Sequence, residues 1–127
     1  MVVRDPCGAS RFVAVRNVAA EAARAFEFDP LEQLAIWKEA AAGAFVLVAL
    51  VHSHPDGEAC FSAADRAAAT TAHGAPLHPG LEHWVLAVHG PTPRLVDARA
   101  FTWGAGGWCQ RPLVRRPASC NVTGIGV

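Results

Sequence analysis

The chain has no excess of charge of either sign. Eleven Lys and Arg balance eleven Asp and Glu over 127 residues, so it offers no basic surface for nucleic acid or for an anionic membrane. Neither is expected as a partner. It also lacks a long apolar run. The longest, Ala44-Phe45-Val46-Leu47-Val48-Ala49-Leu50-Val51, is about eight residues, against the roughly 20 that span a bilayer. Met1-Val2-Val3-Arg4-Asp5-Pro6 has no secretory-signal pattern, and a cytoplasmic location is expected. None of the four cysteines (Cys7, Cys60, Cys109, Cys120) stands in Cys-x-x-Cys spacing, which argues against a structural zinc knuckle. In a reducing cytoplasm they are expected as free thiols, with Cys60 a small buried filler rather than a ligand. Charged residues are scarce, 17% against 52% hydrophobic. That balance excludes a disordered chain and fits one globular domain able to bury a core. No segment repeats.

What is present is a succession of short strand and helix signals. Residues 1–10, with Pro6 and Gly8, read as a loop or a frayed end. Arg11 to Asn17 alternates as a strand does, Val18 to Arg24 is a short helical turn or a loop, and Ala25-Phe26-Glu27-Phe28 is a strand candidate. Asp29-Pro30-Leu31-Glu32 opens a helix: Asp29 as N-cap, Pro30 at N1, and Glu32 at N3 in a capping-box-like arrangement. Gly43 ends it. The apolar run from Ala44 is a buried strand. Ala63 to Ala72 is Ala-rich and helical, with Ser62 as N-cap and Asp65 in the first turn.

Ala72 to Glu82 is a loop, Trp84 to His89 a strand, and Gly90-Pro91-Thr92-Pro93 a turn. Arg94 to Phe101 pairs back as a hairpin, and Trp103 to Gln110 reads as an edge strand. The order β, β, α, β, α, β, β gives an α/β layered fold, a mixed sheet flanked by helices. The domain is expected over residues 1–110 and an exposed C-terminal tail over 111–127. Asn121-Val122-Thr123 matches a glycosylation sequon, without meaning for a cytoplasmic chain.

The chemistry concentrates in residues 51–65. His52 and His54 end the apolar strand two residues apart, so both imidazoles leave one face. Pro55 stops the strand and Asp56-Gly57 signals a turn. The first turn of the next helix then brings back Asp65. Two histidines and one carboxylate suit a zinc ion that keeps a fourth position open for water. Ser62 would stand beside it with a hydroxyl free to donate to a developing oxyanion. His-x-His alone is common, and Ser-x-x-Asp alone is an ordinary cap; their order after a buried strand carries the inference. His73, His78, His83 and His89 lie on loops or strand ends and read as surface or core residues.

His52-Ser53-His54-Pro55, six residues, then Ser62-Ala63-Ala64-Asp65 resembles without gap or substitution the signature of the JAMM (MPN+) zinc metalloproteases. Asn17-Val18-Ala19, Phe26-Glu27-Phe28-Asp29-Pro30 and the helix and strand that follow are similar to the short bacterial members, over roughly residues 8–103. The resemblance implies a curved mixed sheet sandwiched by two helices, with cytidine-deaminase-like layering. It implies Zn2+ as cofactor, His52, His54 and Asp65 as its ligands, and Ser62 as a stabiliser of the tetrahedral intermediate. The implied reaction is hydrolysis of amide bonds at the C-terminal glycine of a ubiquitin-like or sulfur-carrier protein, with a homodimer as one assembly open to the chain. No long insertion interrupts His54 to Asp65, so polyubiquitin-gripping insertions are not expected.

A zinc hydrolase also needs a base to take a proton and pass it to the leaving amine. In the family this is a Glu ahead of the first strand, in a segment resembling Pro-Glu-Glu-Cys-Cys-Gly. Here Cys7-Gly8 is preceded by Asp5 and Pro6, with no Glu. The Glu is therefore expected to fall before Met1. Substitution by Glu58, Glu27 or Asp5, or a metal-binding module without activity, are the alternatives, and no residue is assigned the role. Glu21, Glu32 and Glu39 read as a solvated helix face. A non-catalytic MPN scaffold that binds a partner protein is the competing function; retention of all three ligands argues against it.

Overall fold

The computed structural model describes residues 1–55 and 57–113. Asp56 of the expected turn, Cys120, the sequon and residues 114–127 of the expected tail lie outside them. Eight elements follow in order: β1 (Val2–Arg4), β2 (Ser10–Phe12), α1 (Pro30–Ala41), β3 (Val46–His54), α2 (Ala63–Ala69), β4 (Glu82–His89), β5 (Arg94–Gly104) and β6 (Gly107–Pro112). They form one six-stranded sheet in the order β2-β1-β3-β4-β5-β6. The pair β3–β4 is parallel and all other neighbours are antiparallel. The expected α/β fold, a mixed sheet with two helices, is what the chain adopts. A parallel neighbour requires a crossover, and here that crossover contains α2. The strand carrying both histidines is thus joined to its parallel neighbour through the helix carrying Asp65.

The N-terminus departs from expectation. Residues 1–10 are not a frayed end. Val2–Arg4 is an inner strand between β2 and β3, and Met1, Val2 and Val3 are all buried. Three apolar residues are too few to show a period, and their burial comes from pairing on both sides. The strand expected over Arg11 to Asn17 keeps its ladder only through Phe12. Ala25 to Phe28 forms no strand, only an isolated bridge between Asn17 and Phe28. Helix α2 stops at Ala69 rather than Ala72. Thr70 is extended and bridges Pro76, so the β-branched pair Thr70-Thr71 ends what the alanines began. β5 and β6 each run beyond their expected ends, β6 to Pro112.

Helix α1 begins as its sequence dictates. The Asp29 carboxylate accepts from the N–H groups of Leu31 and Glu32, Pro30 occupies the first turn, and Gly43 follows the helix at φ +81°. The reciprocal arm of the capping box does not form. Glu32 instead accepts from the backbone N–H of Arg16 at 2.7 Å, and the N–H of Asp29 donates to the Arg16 carbonyl at 2.9 Å. The Arg16 guanidinium also pairs with the Asp29 carboxylate. Its hydrogen bond, backed by those from the helix N–H groups, holds the Asp29 carboxyl below the usual carboxylate range. The start of α1 is therefore fastened to residue 16.

Two apolar clusters hold the layers. One joins Met1, Val3, Ile36 and Phe45, with Phe28 and Leu50 packed against it. The other joins Phe61, Ala69, Val85 and Phe101, with Trp108 packed against it. The two histidines end β3 next to the second cluster, His52 beside Val85 and His54 beside Ala87 in the β3–β4 register, and Asp65 lies on α2 between Phe61 and Ala69 of that cluster.

Candidate metal centre

The last turn of β3 and the first turn of α2 meet as the sequence predicts. One ligand atom from each of His52, His54 and Asp65 lies within 4.8 Å of the others. His52 Nε2 is 3.2 Å from His54 Nε2 and 3.3 Å from Asp65 Oδ1, and His54 Nε2 is 3.5 Å from Asp65 Oδ2. Ligands at 2.0–2.1 Å in a tetrahedron stand roughly 3.3 Å apart, and the two spacings from His52 Nε2, to His54 Nε2 and to Asp65 Oδ1, fit an ion of zinc size. The donor set fits too: two imidazoles and one carboxylate. His52 and Asp65 are buried, each 7% exposed.

The outer contacts orient this set. His54 Nδ1 lies 3.2 Å from the Glu58 carbonyl oxygen. A carbonyl only accepts, so Nδ1 carries the proton and Nε2 keeps its lone pair for a metal. Asp65 is fixed by a complete capping box: Ser62 N–H donates to Oδ2 at 2.8 Å, and Asp65 N–H donates to Ser62 Oγ at 3.1 Å. Burial pushes the Asp65 carboxyl up, but the hydrogen bonds from His52 and Ser62 outweigh it and bring it down to about 2. The group is a carboxylate at neutral pH, as a ligand must be. Ser62 Oγ spends an acceptor position on the cap. The Ser62 side chain also helps to hold the Asp65 carboxyl down, and its hydroxyl stands on the wall of the cleft beside the donor set.

The group opens on a cleft of about 940 Å³ whose walls include Phe26, His52, His54, Ser62, Asp65 and His83. Three features of these walls escaped sequence reasoning. Phe26 stacks on His52, with centroids 4.1 Å apart and planes 16° off parallel. Asn17 binds the loop that carries Phe26. His83 is buried on β4 against Phe61 and Trp108, and burial pulls its imidazole down to about 4, so it is neutral. From the sequence His83 reads only as a surface or core residue. Its place in a strand alternating buried and half-buried residues is the signal that marks it as inward-facing.

Cys60 is not the buried filler expected. It is exposed, with Sγ 3.9 Å from His54 Nδ1, the nitrogen on the far side of the ring from the donor triangle. Cys7, Cys60 and Cys109 are all free thiols. Of the acids weighed as substitute bases, Asp5 follows the end of β1 that pairs with Val46, at the opposite end of β3 from the histidines. Glu58 is exposed in the motif loop. Glu27 lines the cleft, and apart from Asp65 it is the one carboxylate among the described residues that does.

The sequence profile of a family described as prokaryotic homologs of the JAB domain matches residues 1–103. The chain belongs to that family. The match covers every element through β4 and nearly all of β5, and it includes the whole donor set. No curated protein and no solved structure matches the chain. JAB-domain proteins include zinc metallopeptidases, and the His-His-Asp group of this chain fits their motif. Among the described residues no helix is long and apolar enough to cross a membrane.

Proposed function

We propose that the protein is a zinc-dependent peptidase or isopeptidase that hydrolyses amide bonds at the C-terminal glycine of a ubiquitin-like or sulfur-carrier protein, acting in the cytoplasm. The observation that carries the reading is the donor group: His52 Nε2 lies 3.2 Å from His54 Nε2, and the two Asp65 carboxylate oxygens lie 3.3 and 3.5 Å from the two rings, beside the Ser62 hydroxyl. His52, His54 and Asp65 would hold the ion. Bound there, zinc supplies a Lewis acid and lowers the pKa of a water to about 7. Ser62 donates its O–H to the oxygen of the amide under attack, where negative charge develops. The α2 cap keeps Ser62 and Asp65 in one fixed relation, so donor and ligand stay aligned without reorganisation.

The proton acceptor is not assigned to a described residue. β1 runs antiparallel to β3 with Val2 beside Ala49, so its N-terminal end points toward the end of β3 that carries the histidines. The scaffold reading rests on one observation, the sparse carboxylates of the cleft.

A linear fusion of a carrier protein, cut after its C-terminal glycine, separates the two. The zinc-loaded chain, or the chain extended upstream to an in-frame Glu, is expected to cleave it, and the Asp65→Ala variant is not. Tight binding of the carrier without cleavage by either form would establish the scaffold instead.

A further inference from the structure

The two histidines of the site are oriented by different means. His54 has a hydrogen bond from Nδ1 to the Glu58 carbonyl. For His52 no hydrogen bond to Nδ1 is formed among the described residues; the contact that fixes its ring plane is the stacked ring of Phe26. Metal-bound imidazoles ordinarily donate a hydrogen bond from the second nitrogen, and its loss costs affinity. Phe26 lies on the face of the His52 ring and so restrains its plane.

Phe26 is not free to leave. It rides on the loop from Asn17 to Phe28, whose base is closed by the Asn17–Phe28 bridge and the bond from Val18 N–H to the Glu27 carbonyl at 2.8 Å. Just outside that base, the Arg16–Asp29 contacts fasten both ends to the start of α1. Inside the loop the Asn17 side chain takes the place of a core. Its Nδ2 donates to the carbonyls of Ala25 at 3.0 Å and Ala22 at 3.4 Å. Its Oδ1 accepts from the N–H groups of Ala19 at 3.1 Å and Glu27 at 2.9 Å. Phe26 lies between two of these anchored residues, Ala25 and Glu27, and rests on Phe28, with centroids 5.4 Å apart. Phe28 packs in turn against the cluster of Met1, Val3, Ile36 and Phe45. A continuous line of contact thus runs from that core through Phe28 and Phe26 to the ring of His52.

We propose that Phe26 is a positioning residue for His52, that Asn17 holds it there, and that the stack sets the metal affinity of the site. The inference rests on His52 being a metal ligand, and not on the identity of the substrate. It is tested by zinc affinity from chelator competition on the full chain, with the visible spectrum of the cobalt-substituted protein as a second readout. Phe26→Ala is expected to weaken zinc by about 10–100-fold and to alter the cobalt spectrum as the His52 ring loosens. Phe26→Tyr, which keeps the flat ring, is expected to stay close to the parent.

Asn17→Ala should move in the same direction by a smaller factor, and the double variant should be no weaker than Phe26→Ala, because both act on one contact. Phe26→Leu keeps apolar bulk without the flat face and guards against misfolding of the alanine variant. Affinity and spectrum equal to the parent in a folded Phe26→Ala or Phe26→Leu protein would overturn the proposal. So would additive losses from Asn17→Ala and Phe26→Ala. A parent chain that binds no metal would overturn both this and the peptidase reading, whereas a parent that binds zinc without cleaving any fusion leaves this proposal intact.

Discussion

The segment from His52 to Asp65 and the loop from Asn17 to Phe28 face each other across one cleft, and they are built in opposite ways. The first is local. Its capping box and the bond from His54 to Glu58 close within the segment, and its strand end is paired to β4. The second closes on the Asn17 side chain and is fastened from outside as well, by Arg16, Asp29 and Glu32 and by packing of Phe28 on the N-terminal core. Residues that create chemistry sit in the self-contained piece. Residues that orient it sit in the piece that depends on the rest of the fold. The site is thus a robust motif trimmed by a conditional neighbour, and a perturbation should reveal which piece it touched.

The largest effect is expected from breaking the local piece at its centre. Asp65→Ala removes one donor and the N3 arm of the capping box together. It should abolish stoichiometric zinc binding, measured by elemental analysis, and should also lower the melting temperature. Ser62→Ala comes next and separates two roles. Cleavage should fall about 10²–10³-fold in kcat if the hydroxyl donates to the oxyanion, while zinc content stays at the parent level. Loss of the cap should cost about 1 kcal/mol of stability, seen by denaturant unfolding. Ser62→Gly should recover most of that stability and none of the activity, since glycine caps nearly as well but has no hydroxyl.

This contrast also explains what the sequence disclosed. The donor set was legible because its geometry follows from two periods, alternation in a strand and the first turn of a helix. Asp29, Pro30 and Gly43 announced α1 by the same kind of local rule. The inner strand β1 was not legible. Val2–Arg4 is three residues long and owes its burial to β2 and β3, which the sequence pairs only through the fold. Phe26 read as part of a strand candidate. Its contact with His52 joins residues 26 positions apart through a loop whose only core is one asparagine side chain. The two aromatic rings of the Ala25–Phe28 strand candidate turn inward without a ladder, Phe26 to His52 and Phe28 to the core.

The smallest expected effect sharpens the comparison from a distant site. Arg111 on β6 and Glu82 on β4 also tie residues far apart in sequence, with Nη2 at 2.7 and 2.8 Å from the two carboxylate oxygens. Here the arginine is exposed, so the tie positions nothing. Glu82→Gln should cost about 0.2–1 kcal/mol and leave zinc affinity unchanged. Burial pushes the Glu82 carboxyl up, but the hydrogen bonds from Arg111 and Trp84 prevail and hold it below its ordinary value. The folded state then binds this proton less readily than the unfolded one. The contribution of Glu82 is full above the ordinary carboxylate pKa and fades as pH falls through its lowered value. A stability–pH profile of Glu82→Gln should lack that part of the acid dependence.

The most direct test of the whole account is zinc per chain, by elemental analysis, on the purified parent and on His52→Ala prepared alongside it. The account predicts one zinc for the parent and none for the variant. A parent without zinc, or a variant that keeps as much as the parent, would contradict the assignment of the donor triangle as a metal centre.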